Sequence, residues 1–149
     1  MLNNEMLNKM TKDELIAMVM DLQKDSLTGV YKREIMHNIE KPSYTVAMID
    51  INGLKSINDT FGHDAGEEYI VSVVNSIREH IRHDDIIIRY GGDEFVIVFN
   101  DCSIANASKA ISRVSNASVG VGTGDTLVQA IHNADSNMYI NKNVHYSRM

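Results

Sequence analysis

The sequence predicts an α+β domain built on a central, mainly antiparallel sheet with flanking helices. The segments 86–90 and 95–99 are rich in β-branched and aromatic residues and enclose a Gly-Gly-Asp-Glu turn, which is typical of a hairpin. Apolar residues recur at helical spacing before and after that hairpin in the chain. The resulting order, β-α-α-β-β-α-β-α behind leading helices, favours a ferredoxin-like or palm domain with its helices on one face.

The N-terminal residues are predicted to form a helix that precedes this domain. Thr11 and Glu14 have the spacing of a capping box, and apolar residues follow at helical intervals over 11–24. We therefore divide the chain into a helical extension, residues 1–24, and a domain of residues 25–149.

The domain begins with a turn around Gly29 and a predicted helix over 30–40, which ends before Pro42. The next predicted elements lead up to the hairpin: a strand over 44–50 and helices over 54–60 and 64–82. After the hairpin come a helix over 104–114, a strand over 117–121 and a helix over 126–142.

The composition limits the classes of function. Of the 149 residues, 44% are hydrophobic and 23% are charged, as in a folded globular domain. The 20 acidic and 14 basic residues give a formal net charge of −6, which argues against polymeric nucleic acid and anionic membranes as partners. One cysteine, Cys102, forms no intrachain disulfide, and no apolar run is long enough to span a membrane, so we expect a cytoplasmic location.

Three carboxylates are predicted to meet at one end of the sheet. Asp50 ends the first strand of the domain, and Asp93 and Glu94 lie in the hairpin turn. Like charges this close repel one another unless a cation neutralises them, and Mg²⁺ takes carboxylate and phosphate oxygens. Gly91 and Gly92 would let a phosphate or another backbone approach closely. Taken alone, this stretch is equally compatible with an ordinary solvated turn.

Motifs along the chain resemble those of the GGDEF family, the diguanylate cyclases. Arg89–Phe95, RYGGDEF, resembles the family signature, and Asp50–Glu68 resembles its metal-and-nucleotide segment. Three shorter motifs match in the same order: Asp25–Val30, Ser118–Val121 and Ala134–Tyr139. The resemblance covers about residues 25 to 142.

The resemblance implies an activity, a cofactor and an assembly. In this family one domain binds one GTP, and two facing domains join their substrates into cyclic di-GMP with release of pyrophosphate. It therefore implies GTP as substrate, Mg²⁺ or Mn²⁺ as cofactor and a homodimer during catalysis. The metal would be held by Asp50, the backbone carbonyl of Ile51, Asp93 and Glu94. Asp93 would also act as general base for the 3′-hydroxyl, and Lys55 would contact phosphates.

The resemblance also implies a set of substrate-binding residues: Asn58, His63, Glu67, Ile70, Gly91, Gly92 and Lys142. Asn58 matches an asparagine that contacts guanine, and its amide can both donate and accept hydrogen bonds. Read without the family, His63 is equally a capping or packing residue, and Ile70 is part of an apolar core stripe.

Arg82 and Asp85 have the R-x-x-D spacing of the family's product-inhibition site, where they would bind cyclic di-GMP. A guanidinium forks onto guanine or phosphate, and a carboxylate accepts hydrogen bonds from the guanine edge. The alternative is a surface turn with an i,i+3 ion pair that adds little stability.

The sequence departs from the family pattern at several positions. Asn52 replaces the second aspartate of the D-x-D pair. Glu67 replaces an aspartate that reads guanine and is one methylene longer, so base selectivity stays open. In the tail, His145 and Tyr146 replace a glycine and a phosphate-contacting arginine, and Arg148 is the nearby candidate to replace that charge.

The chain is also shorter than the family pattern. The interval 96–117 has room for a helix but not for the additional hairpin that the family usually carries there. Residues 1–24 are too few for a sensor domain, so we expect a compact member. The helix over 11–24 either pairs with its copy in a dimer or packs on the domain.

Three functions follow from these observations. An active diguanylate cyclase leads, because the signature acids are intact. The alternatives are a non-catalytic cyclic di-GMP receptor that uses Arg82 and Asp85, and a related cyclase that makes a mixed cyclic dinucleotide, motivated by Glu67. A polymerase is disfavoured because the chain has no basic groove for a template.

Overall fold

The structure is a computed structural model that describes the backbone of residues 1–147 and the side chains of residues 1–141. Its helices are α1 (Asn4–Asn8), α2 (Lys12–Leu22), α3 (Leu54–Phe61), α4 (His63–His80), α5 (Ile104–Ile111) and α6 (Leu127–Ser147), with a 3-10 helix at Arg33–Asn38. Its strands are β1 (Tyr31–Lys32), β2 (Tyr44–Ile51), β3 (Ile86–Arg89), β4 (Glu94–Val98) and β5 (Ala117–Gly124). The predictions for the side chains of Lys142, His145, Tyr146 and Arg148 lie outside the described residues.

The strands form one sheet in the order β1-β3-β4-β2-β5. Strand β2 pairs antiparallel with β4 and β5, β3 pairs antiparallel with β4, and β1 pairs parallel with β3. This arrangement confirms the predicted α+β, palm-like fold class. The segment between β4 and β5 contains one helix, α5, as its length predicts.

Strand β1 shows that the prediction of a helix over 30–40 was wrong. Tyr31 and Lys32 are extended and pair with Ile88 and Arg89, and only a 3-10 helix follows. The cause is the preceding turn, in which Gly29 has a positive φ of 75° and the Asp25 N–H donates to the Val30 carbonyl. Because this turn returns the chain beside β3, the backbone bonds to the sheet instead of forming a helix.

Helices cover both faces of the sheet, so the prediction of helices on one face was wrong. On the first face, the apolar stripe of α4 and two residues of α5 pack on inward side chains of the strands. On the second face, α6 and the 3-10 helix cover Val46, Met48 and Val96. Because side chains alternate along a strand, Asp50 and Glu94 also project toward the α6 face.

Helix α6 lies close against β5, which is an edge strand. A Cβ atom at Gly120 or Gly122 would clash with the backbone of α6, so only glycine allows this approach. Three asparagines spaced one helical turn apart donate side-chain N–H groups to carbonyls of β5: Asn133 to Thr123, Asn137 to Val121 and Asn141 to Val119. They occupy acceptors that another strand would otherwise pair with.

The N-terminal helices carry an exposed apolar surface. The predicted capping box of α2 is confirmed, since Thr11 and Glu14 exchange two hydrogen bonds of 3.1 Å. No residue of α1 or α2 is buried, and Ile16, Val19 and Leu22 are 46%, 53% and 63% exposed. The structure thus shows little packing of α2 on the domain. Within residues 1–147, no helix is long and apolar enough to cross a membrane.

Candidate functional site

The predicted carboxylates meet where β2 and β4 end. Asp50 and Glu94 are direct partners in the antiparallel register, and the Ile51 N–H donates to the Asp93 carbonyl at 2.9 Å. Directly opposed side chains in such a pair lie about 5 Å apart at Cβ. Glu94 is the first residue of β4 rather than part of the turn, and this is what sets it against Asp50.

Burial and neighbouring negative charges both act on Glu94. Burial raises the pKa of Glu94 above its ordinary value, the charges of Asp50, Asp93 and Asp135 raise it further, and Arg33 lowers it. The cluster therefore holds negative charge at a free-energy cost, which a bound cation would relieve.

A divalent cation fits this set of donors. Within the described part of the chain, no three His, Cys, Asp or Glu side chains are placed to hold a metal by themselves. Mg²⁺ usually needs only one or two carboxylates, because waters and substrate phosphates fill its remaining positions. Asp50, Glu94 and the Ile51 carbonyl can supply such a partial shell, with Asp93 beside it.

The hairpin turn is held by its own backbone. The N–H groups of Tyr90 and Gly91 both donate to the Glu94 carbonyl, at 2.8 and 3.1 Å. A Cβ atom at Gly91 would lie 2.8 Å from Oε1 of Glu94, so glycine is needed for the carboxylate to take this position. A Cβ atom at Gly92 would meet no atom within 4 Å, which leaves room there for an approaching group.

The Arg89–Asp25 ion pair connects this turn to the N-terminal turn of the domain. Arg89 donates to the Gly92 carbonyl at 2.9 Å and forms an ion pair with Asp25 at 3.2 Å. The same carboxylate accepts hydrogen bonds from the N–H and hydroxyl of Thr28, at 2.9 and 2.7 Å. The side chains of Arg89 and Asp25 are only 19% and 18% exposed, so the pair is partly shielded from water.

The loop after β2 is fixed by Asn52. Its side-chain oxygen accepts from the Ser118 hydroxyl at 2.8 Å, its carbonyl accepts from the Tyr69 hydroxyl at 2.7 Å, and its N–H donates to the Asn116 carbonyl at 2.9 Å. The amide is thus directed to β5. The replacement of aspartate by Asn52 therefore leaves the Asp50–Glu94 pair intact.

Helices α3 and α4 bring together part of the predicted base site. A Cβ atom at Gly66 would overlap the amide oxygen of Asn58, so this side chain lies across the glycine, and Glu67, the next residue of α4, is exposed. His63 is exposed at the first position of α4. Ile70 is 6% exposed and belongs to the core cluster, as its place in the apolar stripe of the predicted helix indicates.

If Asn58 contacts guanine, as the family resemblance implies, replacement of Gly66 by alanine should weaken GTP binding about 10-fold, which is about 1.4 kcal/mol, because the new methyl group displaces Asn58. The helix itself should not suffer, since alanine favours a helix over glycine by about 1 kcal/mol. Calorimetric titration with a non-hydrolysable GTP analogue measures the effect. Asn58→Ala should weaken binding of the analogue by the same factor, and the double variant should bind only slightly more weakly than either single variant. Losses that add would show that the two positions act independently.

Asp85 mainly supports a turn. Its carboxylate accepts from the Arg82 N–H at 2.8 Å and from the Asn100 N–H at 2.9 Å. Among the described side chains, no ion pair joins Arg82 to Asp85, so the i,i+3 pair considered for this turn is absent. A cavity of about 400 Å³ lies beside it, lined by Arg78, Ile81, Arg82, His83, Asp85 and Ile87.

Several residues near the carboxylates were not predicted from the sequence. A cavity of about 300 Å³ adjoins Glu94 and is lined by Met36, Met48, Tyr90, Glu94, Val128, Ile131, His132 and Asp135. Asp135 lies in the matched motif Ala134–Tyr139, so the motif identified the segment but not its place beside Glu94. Lys55, by contrast, was predicted and lies exposed in the first turn of α3.

Comparison with known proteins identifies the family. The family model described as "Diguanylate cyclase, GGDEF domain" matches residues 22–119. The chain therefore belongs to the GGDEF-domain family, a class of α+β domains with a palm-like sheet.

The curated relatives are longer proteins. Diguanylate cyclase DosC of Escherichia coli K12 is 33% identical over 115 residues, which cover 74% of this chain and 25% of the relative. The probable diguanylate cyclase DgcJ of the same strain is 32% identical over 149 residues, covering 83% of this chain and 30% of the relative. The chain thus spans less than a third of the length of these relatives.

Solved structures share the fold. Diguanylate cyclase SiaD in complex with its activator SiaC, from Pseudomonas aeruginosa, has a TM-score of 0.75 at 26% identity and covers 94% of this chain and 65% of its own. The GGDEF domain of DgcB from Caulobacter crescentus, in complex with c-di-GMP, has a TM-score of 0.75 at 20% identity, covering 83% of this chain and 91% of its own. The second likeness shows the fold alone.

Proposed function

We propose that this chain is a diguanylate cyclase that condenses two GTP molecules into cyclic di-GMP and two pyrophosphates. The observation that carries the proposal is the opposition of Asp50 and Glu94 across β2 and β4, with Asp93 tied to Ile51 beside them. Membership of the GGDEF-domain family supports the activity.

In the proposed mechanism, the carboxylates have two roles in phosphoryl transfer: they bind the cation and accept a proton. Asp50, Asp93, Glu94 and the Ile51 carbonyl would hold Mg²⁺ or Mn²⁺, which when bound neutralises phosphate charge and polarises the α-phosphate. Asp93 accepts the proton of the attacking 3′-hydroxyl. The 3′-oxygen then bonds to the α-phosphorus of the other GTP as the bond from that phosphorus to pyrophosphate breaks. Lys55 binds phosphate oxygens.

The base and the second chain complete the proposal. Asn58 and Glu67 bind the guanine edge, where Glu67 accepts hydrogen bonds from the ring N1–H and from the exocyclic amino group. Each chain binds one GTP, and two chains face each other so that each 3′-hydroxyl reaches the other's α-phosphate. The exposed apolar residues of α2 support pairing of this kind, because joining two copies there would remove them from water.

The rate of pyrophosphate release tests the proposal. With GTP and Mg²⁺, the rate per chain should rise with protein concentration, because the reaction needs two chains, and Asp93→Ala should lose it while still binding GTP. A protein that binds cyclic di-GMP in an Arg82-dependent way but releases no pyrophosphate would instead be a receptor. A product that contains adenine, from GTP and ATP supplied together, would identify a mixed cyclase.

A further inference from the structure

Arg33, the first residue of the 3-10 helix, is held against the tyrosine that precedes the Gly-Gly turn. Its guanidinium carbon lies 4.0 Å from the centroid of the Tyr90 ring, and Nη2 donates to the Tyr90 hydroxyl at 3.1 Å. Arg33 is nevertheless an exposed residue. Because the ring and the hydroxyl orient the guanidinium, less side-chain freedom is lost when a further group binds to it.

This guanidinium lies at the edge of the carboxylate site. Its charge reaches Glu94, where it opposes the repulsion from the neighbouring acids. Tyr90 and Glu94 line the same cavity, and the Tyr90 N–H donates to the Glu94 carbonyl. Arg89, the arginine next to Tyr90, is instead engaged by Asp25 and the turn backbone.

We propose that Arg33 is a substrate-binding residue that contacts a phosphate group of the nucleotide held at the carboxylates. This inference rests on the proposed function. A guanidinium has five N–H donors in a planar fork that matches phosphate oxygens, and the Tyr90 hydroxyl takes one of them. Lys55 lies beyond β2 on α3, so Arg33 supplies positive charge from the β1 side of the sheet.

Calorimetric titration with tripolyphosphate and Mg²⁺ tests the contact without catalysis. Arg33→Gln should weaken tripolyphosphate binding at least about 10-fold, and Arg33→Lys should recover part of the loss because it keeps the charge. In turnover, Arg33→Gln should raise the KM for GTP more than it lowers kcat. Arg113→Gln is the matched control: Arg113 is exposed just after α5, on the opposite face of the sheet, and its loss should leave binding unchanged.

A second variant separates substrate contact from mere support of the hairpin. Tyr90→Leu removes the ring and hydroxyl but keeps the charge of Arg33, so it should weaken tripolyphosphate binding less than Arg33→Gln does. Equal losses in the two variants, or unchanged binding in Arg33→Gln, would overturn the inference. If tripolyphosphate binding depends on Arg33 but the chain makes no cyclic product from GTP, only the cyclase proposal is overturned. If the chain turns over GTP but Arg33→Gln leaves tripolyphosphate binding unchanged, only this inference is overturned.

Discussion

Glu94→Gln should lower turnover at least about 1,000-fold and leave the fold as stable as before, or more stable. The amide keeps the shape of the side chain but cannot supply a negative charge to a divalent cation. In the folded chain, burial and then Asp50, Asp93 and Asp135 raise the pKa of Glu94, so its ionised form opposes folding. Because glutamine stays neutral, this opposition disappears.

The sign of the stability change follows from linkage. A group whose pKa is raised by folding favours the folded state at low pH and loses that effect as pH rises through the folded pKa. Glu94→Gln should therefore gain stability relative to the parent above the ordinary glutamate pKa of 4.5. Thermal unfolding at several pH values measures this, with Glu68→Gln, an exposed position on α4, as the control. An inactive variant that is also less stable than the parent would show that ionised Glu94 does not oppose folding.

Arg89→Met should cost the domain about 2–3 kcal/mol of unfolding free energy, because it leaves Asp25 mostly buried without its charge partner. It also releases the Gly92 carbonyl, so the hairpin turn should loosen and turnover should fall. Urea unfolding measures the stability. The matched control is Lys9→Met: its ion pair with Glu5 leaves the two side chains 75% and 77% exposed, so the change should stay below about 0.5 kcal/mol.

The Arg89–Asp25 ion pair should also make the stability of the domain depend on pH. Burial raises the pKa of Asp25, but hydrogen bonds from Thr28 and the charge of Arg89 outweigh it and leave the pKa below its ordinary value of 3.8. Its stabilising effect is therefore present above that value and is lost as pH falls through the lowered pKa. Arg89→Met should reduce this acid loss of stability. If the parent and the variant lose the same unfolding free energy as the pH is lowered, Arg89 does not act through Asp25.

The local elements of the fold were predictable from the sequence, while contacts between distant segments were not. The capping box of α2 and the hairpin depend on neighbouring residues. Strand β1 has two residues, and its pairing with β3 depends on the turn before it. The coverage of both faces had a signal, since the runs 46–49 and 95–98 are apolar throughout rather than alternating, as in strands buried on both sides.

The site was predictable to a similar extent. Motifs identified Asp50, Asp93 and Glu94, but their direct opposition depends on the register of β2 and β4. The positions of Asp135 and Arg33 beside Glu94 result from the packing of α6 and the 3-10 helix around the sheet, which no local pattern encodes.

Identification of the product by mass spectrometry is the decisive test of the proposed cyclase activity. The parent chain and Glu94→Gln are incubated side by side with GTP and Mg²⁺ at a chain concentration that favours dimers. We expect cyclic di-GMP and pyrophosphate from the parent chain and neither from the variant. GTP binding by a parent chain that yields no cyclic dinucleotide at any concentration would contradict the proposed activity.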